Sequence, residues 1–222
     1  MPTALILGAS RGIGREFVRQ LVADRWKVYA TARDAAVLAA LQAEGATALP
    51  LDVTQPEQLA SLGRELNGIK LDLAVYVAGV FVSRQGAETA PTQTDFDATM
   101  HANVLGAMQA IPLVAPMVEA ANGKFAFITS GMGSIADASY SMGWIYRVSK
   151  AGLNMAVRAA AFDYPKATFA ALSPGWVLTD MGGPDASITV EQSVQGMRKV
   201  IAALALKDSG SYRNYDGKRL AW

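Results

Sequence analysis

Near its amino terminus the chain passes from an apolar run, through three glycines, into an amphipathic helix, and few local patterns restrict a fold as strongly. Thr3-Ala4-Leu5-Ile6-Leu7 is short enough for a strand buried on both faces. In the segment Arg15 to Val22, residues Phe17, Val18, Leu21 and Val22 recur at helical spacing. Between the two stands Gly8-Ala9-Ser10-Arg11-Gly12-Ile13-Gly14. Glycines let a backbone approach a ligand closely, and the free N–H groups of a first helical turn point at an anion. The spacing is G-x-x-x-G-x-G, not the G-x-G-x-x-G of many dinucleotide sites. A plain glycine turn in an α/β domain is the lesser reading of this stretch taken alone.

Downstream, strand-like and helix-like stretches alternate. Strands are expected at Lys27–Ala32, Ala46–Leu51, Leu71–Val77, Lys124–Thr129 and Thr168–Ser173, with a short one around Tyr212–Tyr215. Ala35–Glu44 reads as a helix stopped by Gly45, and Pro56 and Glu57 open another that Asp52 or Thr54 would cap. A long helix from Asp95 to about Ala121 carries Pro112 and Pro116, which should kink or interrupt it. Two more helices follow, Trp144–Phe162 and Thr189–Leu206. Such alternation gives a parallel sheet with right-handed crossovers and helices on both faces. Residues 1–222 fit one domain of this class. Ligands of such sheets bind at the carboxyl ends of the strands. Gly8, Asp52, Gly79, Ser130 and Pro174 all fall there.

Composition narrows the chemistry. A net charge of +1 without a basic stripe argues against a nucleic-acid partner. Without cysteine there are no disulfides and no zinc-thiolate site, and the lone His101 leaves no His-rich metal site. The first strand starts almost at Met1, with no room for a signal peptide, and no apolar run approaches the ~18 residues of a membrane span. The expectation is a cytoplasmic protein without a membrane partner.

Arg33 ends the second strand, where an acidic residue would hold a ribose 2′-hydroxyl and an arginine suits a 2′-phosphate. Arg11 can reach the same region; Asp34, one residue on, tempers the argument. The pair favours NADP(H) over NAD(H). Asp52 either accepts from an adenine amino group or caps the next helix, and Gly79 lies where a backbone would come close to the cofactor.

Tyr146-Arg147-Val148-Ser149-Lys150 puts a phenol and an ammonium on one helical face. A free tyrosine titrates near ~10, and a useful proton donor at neutral pH sits ~2–3 units lower, a difference of about 3–4 kcal/mol. A cation ~4 Å away supplies about 4 kcal/mol at an effective dielectric of ~20, while desolvation pulls the other way. An isolated Tyr-x-x-x-Lys is common on protein surfaces.

In combination these motifs resemble the short-chain dehydrogenase/reductase family from end to end. Gly133-Ser134-Ile135-Ala136-Asp137, the run Pro174 to Pro184 and the ending Tyr215-Asp216-Gly217 are similar to its C-factor-like carbonyl-reductase branch. The resemblance implies a three-layer Rossmann fold, a doubly wound parallel sheet of about seven strands. It implies Tyr146 as general acid/base, Ser130 bonding the same carbonyl oxygen, and Lys150 on the nicotinamide ribose. Asn103 would support a proton relay. Cofactor contacts would come from Gly8, Ser10, Arg11, Gly12, Ile13, Gly14, Arg33, Asp52, Val53, Ala78, Gly79, Pro174, Gly175, Val177 and Thr179, besides Tyr146 and Lys150. The implied activity is reduction of an aldehyde or ketone, or the reverse, by a homodimer or homotetramer. A regulatory NADP(H)-binding protein of the same fold is the alternative. Leu7 replaces a usual threonine, and Tyr76-Val77-Ala78-Gly79 stands where Asn-Asn-Ala-Gly is typical, so polar ties in the central sheet are expected to be missing. Met132, Met142, Trp144, Trp176 and Met181 are candidates for an apolar substrate pocket, and no charged residue stands out for an anionic substrate. His101 is one residue off the Asn103 face and is expected to point elsewhere.

Overall fold

Each apolar run becomes a strand of one sheet in the computed structural model, which describes residues 1–222. The strands are β1 (Thr3–Leu7), β2 (Lys27–Ala32), β3 (Thr47–Pro50), β4 (Leu73–Tyr76), β5 (Lys124–Ile128), β6 (Thr168–Ser173) and β7 (Ser211–Asn214). Their order is β3-β2-β1-β4-β5-β6-β7, and every neighbouring pair is parallel. The helices are α1 (Gly12–Ala23), α2 (Ala35–Ala43), α3 (Pro56–Glu65), α4 (Gln93–Met100), α5 (Gly106–Glu119), α6 (Trp144–Ala160) and α7 (Val190–Ala203).

The strand period of two sorts the core into two layers. Leu5 and Leu7 join Leu59 and Leu62 of α3, Ile111 and Val114 of α5, and Leu153 and Val157 of α6. Ala4 and Ile6 join Phe17 and Leu21 of α1, Leu41 of α2, and Val194 and Met197 of α7. Burial on both faces is why these strands read as unbroken apolar runs. Strand order reverses direction between β1 and β4, which opens a crevice above their carboxyl ends.

Three local expectations are corrected. Neither Asp52 nor Thr54 caps α3: the cap position is Gln55, and the Asp52 carboxylate instead accepts from the Thr54 N–H (3.0 Å) and hydroxyl (2.8 Å). The helix continues through Pro112 and Pro116, because packing of Ala107, Ala110, Val114 and Val118 outweighs the lost backbone bonds. Its interruption lies upstream, in a π-turn at His101–Leu105 that joins α4 to α5. Finally, the combined run Gln93–Glu119 is long and apolar enough to cross a membrane, although more than half of its apolar window is buried inside the fold.

Candidate active site

A cleft of about 750 Å³ lies over the strand ends, within the range of small-molecule and cofactor sites. Gly8, Ser10, Arg11, Gly12 and Ile13 line it, together with Arg33, Asp52 and Val53, the pair Ala78 and Gly79, and the pair Tyr146 and Lys150. Pro174 and Thr179 complete the lining, and a Cβ on Gly12 would lie 3.4 Å from the Thr179 methyl. Gly8 (φ +95°) and Gly12 (φ +51°) are left-handed, and a Cβ on Gly8 would stand 2.7 Å from the Ala78 nitrogen. Gly14 does not reach the cleft; a Cβ there would overlap the Gly8 carbonyl oxygen, so its role is to let α1 pack on the turn. The turn is held from β2: Gly8 N–H donates to Thr31 Oγ1 (3.0 Å) and Ala9 N–H to the Thr31 carbonyl (2.7 Å). Thr31 went unread in the sequence, where its signal is one threonine near the end of a strand.

The charges at this end are exposed. Arg33 lies 3.8 Å from Asp52. Burial pushes the Asp52 carboxyl up, but the two Thr54 bonds and Arg33 together hold it below its ordinary value. Asp34 is spent as the cap of α2, accepting from Val37 N–H at 3.0 Å. Arg11 pairs with Asp180 at 2.7 Å, both side chains about three-quarters exposed. Each arginine therefore has a carboxylate beside it, where none was expected.

At the other end the side chains are buried. Tyr146 and Lys150 stand one turn apart on α6, only 8% and 4% exposed. The Lys150 ammonium donates to the Ile128 carbonyl (2.9 Å), lies 5.5 Å from the centre of the Tyr146 ring, and has no carboxylate partner. Burial pushes Lys150 down to about 8. It pushes the Tyr146 phenol up to about 12, with hydrogen bonding to Ser130 acting in the opposite sense. The expected net lowering by Lys150 is thus reversed, because desolvation acts on both groups at once.

Asn103, Gly175 and Val177 do not line the cleft, and Ser130 meets it through its hydrogen bond with the Tyr146 phenol. Ser130 caps the short turn Gly131–Gly133 by accepting from Met132 N–H (3.1 Å), and its carbonyl receives the Tyr212 hydroxyl (2.6 Å). Asn103 is fully buried; its amide accepts from Val80 N–H (2.7 Å) and donates to the Val80 carbonyl and Ser149 Oγ (both 2.9 Å). A Cβ on Gly79 would lie 3.1 Å from Asn103 Oδ1 and 3.5 Å from Lys150 Nζ, so glycine lets the chain pass over both. Gly175 (φ +81°) is required where the Tyr215 ring crosses it, and Val177 is buried and bridges to Ile188. His101 is exposed, away from the cleft.

Of the expected apolar pocket only Met181 lines the cleft, joined by Leu178; Trp176 is half exposed, its indole N–H on the Gly182 carbonyl. The aromatic that covers the phenol is Phe81, stacked on Tyr146 at 4.5 Å. Arg84 lies over Phe81 and donates to the Met181 carbonyl (3.0 Å), so a cation stands beside the ring that covers the phenol. The only sequence signal for Phe81 is a lone aromatic opening a polar loop after Gly79.

A phosphorylated dinucleotide fits these residues. An ammonium has three protons to donate, and only one of Lys150's is taken by the protein. Gly8 and Gly12 leave backbone open beside the first turn of α1, and Arg33 caps the neighbouring strand.

The 3-2-1-4 strand order, the glycine turn and the buried tyrosine–lysine pair together define a nucleotide-binding oxidoreductase architecture. Residues 2–187 match the short chain dehydrogenase family model, and the chain belongs to that family. It is 34% identical to the 1-hydroxy-2-glutathionyl-2-methyl-3-butene dehydrogenase of Rhodococcus sp. (strain AD45), covering 100% of both chains. Over 131 residues, 58% of this chain and 79% of the relative, it is 40% identical to C-signal of Myxococcus xanthus. Its fold superposes on the NADPH-bound carbonyl reductase from chicken fatty liver with a TM-score of 0.90 at 34% identity, covering 100% and 99% of the two chains.

Proposed function

We propose that this chain reduces an aldehyde or ketone to an alcohol, or the reverse, with NADP(H), and that Tyr146 is its general acid/base. The carrying observation is the burial of Tyr146 and Lys150 side by side in the cleft that the glycine turn also lines. The backbone of Gly8–Gly14 would hold the pyrophosphate and Arg33 the 2′-phosphate, with Arg11 released from its exposed pair. Asp52 would accept from the adenine, Thr179 would contact the carboxamide, and Lys150 would bind the nicotinamide ribose. When bound, the nicotinamide supplies or accepts the hydride.

Pushed up to about 12, Tyr146 is protonated at neutral pH and donates that proton to the substrate oxygen. Capping uses only an acceptor site of Ser130, so its hydroxyl proton stays available for that same oxygen. The Lys150 charge favours the phenolate left behind, and Lys150 loses that charge as pH rises through about 8. Turnover is therefore expected to fall above that pH. Residues 1–222 act as one dinucleotide-binding domain. Leu105 and Met108, and Val148 and Met155 on the neighbouring α6, are exposed apolar side chains that suit self-association as a homodimer or homotetramer. We place the protein in the cytoplasm.

The test is NADPH oxidation over a panel of small aldehydes and ketones, repeated with NADH. Tyr146→Phe should lower kcat/KM by about 10²–10⁴-fold while NADPH affinity holds. Undiminished turnover in that variant overturns the assignment, and a preference for NADH overturns the cofactor. A purely regulatory protein would leave the carbonyl panel unreduced.

A further inference from the structure

Between α4 and α5 the helical ladder slips by one residue. The Gly106 N–H bonds to the His101 carbonyl, five residues back, instead of to that of Ala102. The Ala102 carbonyl accepts the hydroxyl of Tyr76 at 2.9 Å, from the end of β4. Tyr76 is fully buried, and its hydroxyl lies 2.6 Å from the place a Cβ on Gly106 would take. The phenol thus occupies the position of a helical N–H, and glycine leaves it room. Interruptions of this kind occur where a side chain enters the i→i−4 ladder.

Asn103 lies inside this turn and grips both backbone polar atoms of Val80 and the Ser149 hydroxyl. Val80 follows Gly79, and Ser149 precedes Lys150. Closing the slip into a regular α-helix would turn Asn103 by about 100° around the axis and break that grip. We infer that Tyr76 is a positioning residue: its hydroxyl holds the π-turn, the turn aims Asn103, and Asn103 sets Lys150 against the Gly79 backbone. The polar tie that the sequence seemed to lack is therefore present in another form. The kinetic part of this inference rests on the carbonyl-reductase reading.

Tyr76→Phe and Asn103→Ala are compared singly and together for NADPH binding, kcat, carbonyl KM and pH profile. Tyr76→Phe is expected to lower kcat about tenfold, the effect of one buried hydrogen bond, and to move the alkaline limb of the profile. Carbonyl KM should stay within about twofold. The double variant should be no slower than Asn103→Ala alone, as for residues acting through one another. Additive losses, or a Tyr76→Phe enzyme with unchanged kcat and pH profile, overturn the inference. If melting and NADPH binding show that Tyr76→Phe does not fold, Gly106→Ala, which crowds the same hydroxyl, enters the same cycle with the same expectation. If the wild type reduces no carbonyl, the functional reading fails, and amide exchange at residues 101–106 decides the inference instead. Protection there must drop in Tyr76→Phe, and unchanged exchange overturns it.

Discussion

The two ends of the cleft hold their charges in opposite ways. Arg11, Asp180 and Arg33 stand about three-quarters exposed, where an ion pair is worth only about 0–1 kcal/mol and partners exchange at little cost. Lys150 is buried on a single backbone carbonyl with no carboxylate near enough to pair. A charge so placed is costly unless something compensates it. One end can therefore change its ligand preference by substitution without disturbing the fold. At the other, fold and chemistry compete for the same residue.

Lys150→Met is the strongest way to break that comparison. Turnover should fall by about 10²–10⁴-fold, while unfolding at pH 7 should show a gain in stability. Burial takes Lys150 from 10.5 to about 8, so the native state binds fewer protons than the unfolded chain between those values. The penalty is full below about pH 8 and fades as pH rises toward 10.5, which at ~1.4 kcal/mol per unit amounts to about 3 kcal/mol. Denaturant titrations at several pH values read it; a variant less stable than the wild type at pH 7 would show that Lys150 is compensated after all.

Arg33→Asp sharpens the contrast from the exposed side. The preference for NADPH over NADH is expected to fall by about 10–100-fold, the value of a charge-assisted bond to phosphate, with stability unchanged. Comparative KM values for the two cofactors measure this. The smallest effect belongs to Arg11→Ala, which should alter unfolding free energy by no more than about 1 kcal/mol, and less in high salt. A larger loss would mean that the Arg11–Asp180 pair is structural.

What could be read in advance were features whose information is local. The glycine turn, the strand cores and the shared face of Tyr146 and Lys150 depend on spacings of a few residues, and short-range periodicity specifies them. Thr31, Tyr76 and Phe81 escaped because each acts on a distant segment. A lone hydroxyl or ring carries no mark of its partner until the strand register and the loop path bring the two together. The cap expected at Asp52 or Thr54 failed locally, because Thr54 itself holds the Asp52 carboxylate, whereas the break expected at the prolines failed because tertiary packing overrode a local preference.

The order of residues alone thus determined a parallel α/β sheet with a glycine turn at its first strand and a tyrosine–lysine pair on one helix. Folding decided the state of those two groups. Their proton affinities depend on how much water the surrounding layers exclude, and that exclusion belongs to the packed chain as a whole. Burial raised the phenol and lowered the ammonium, where spacing alone had pointed to a lowered phenol.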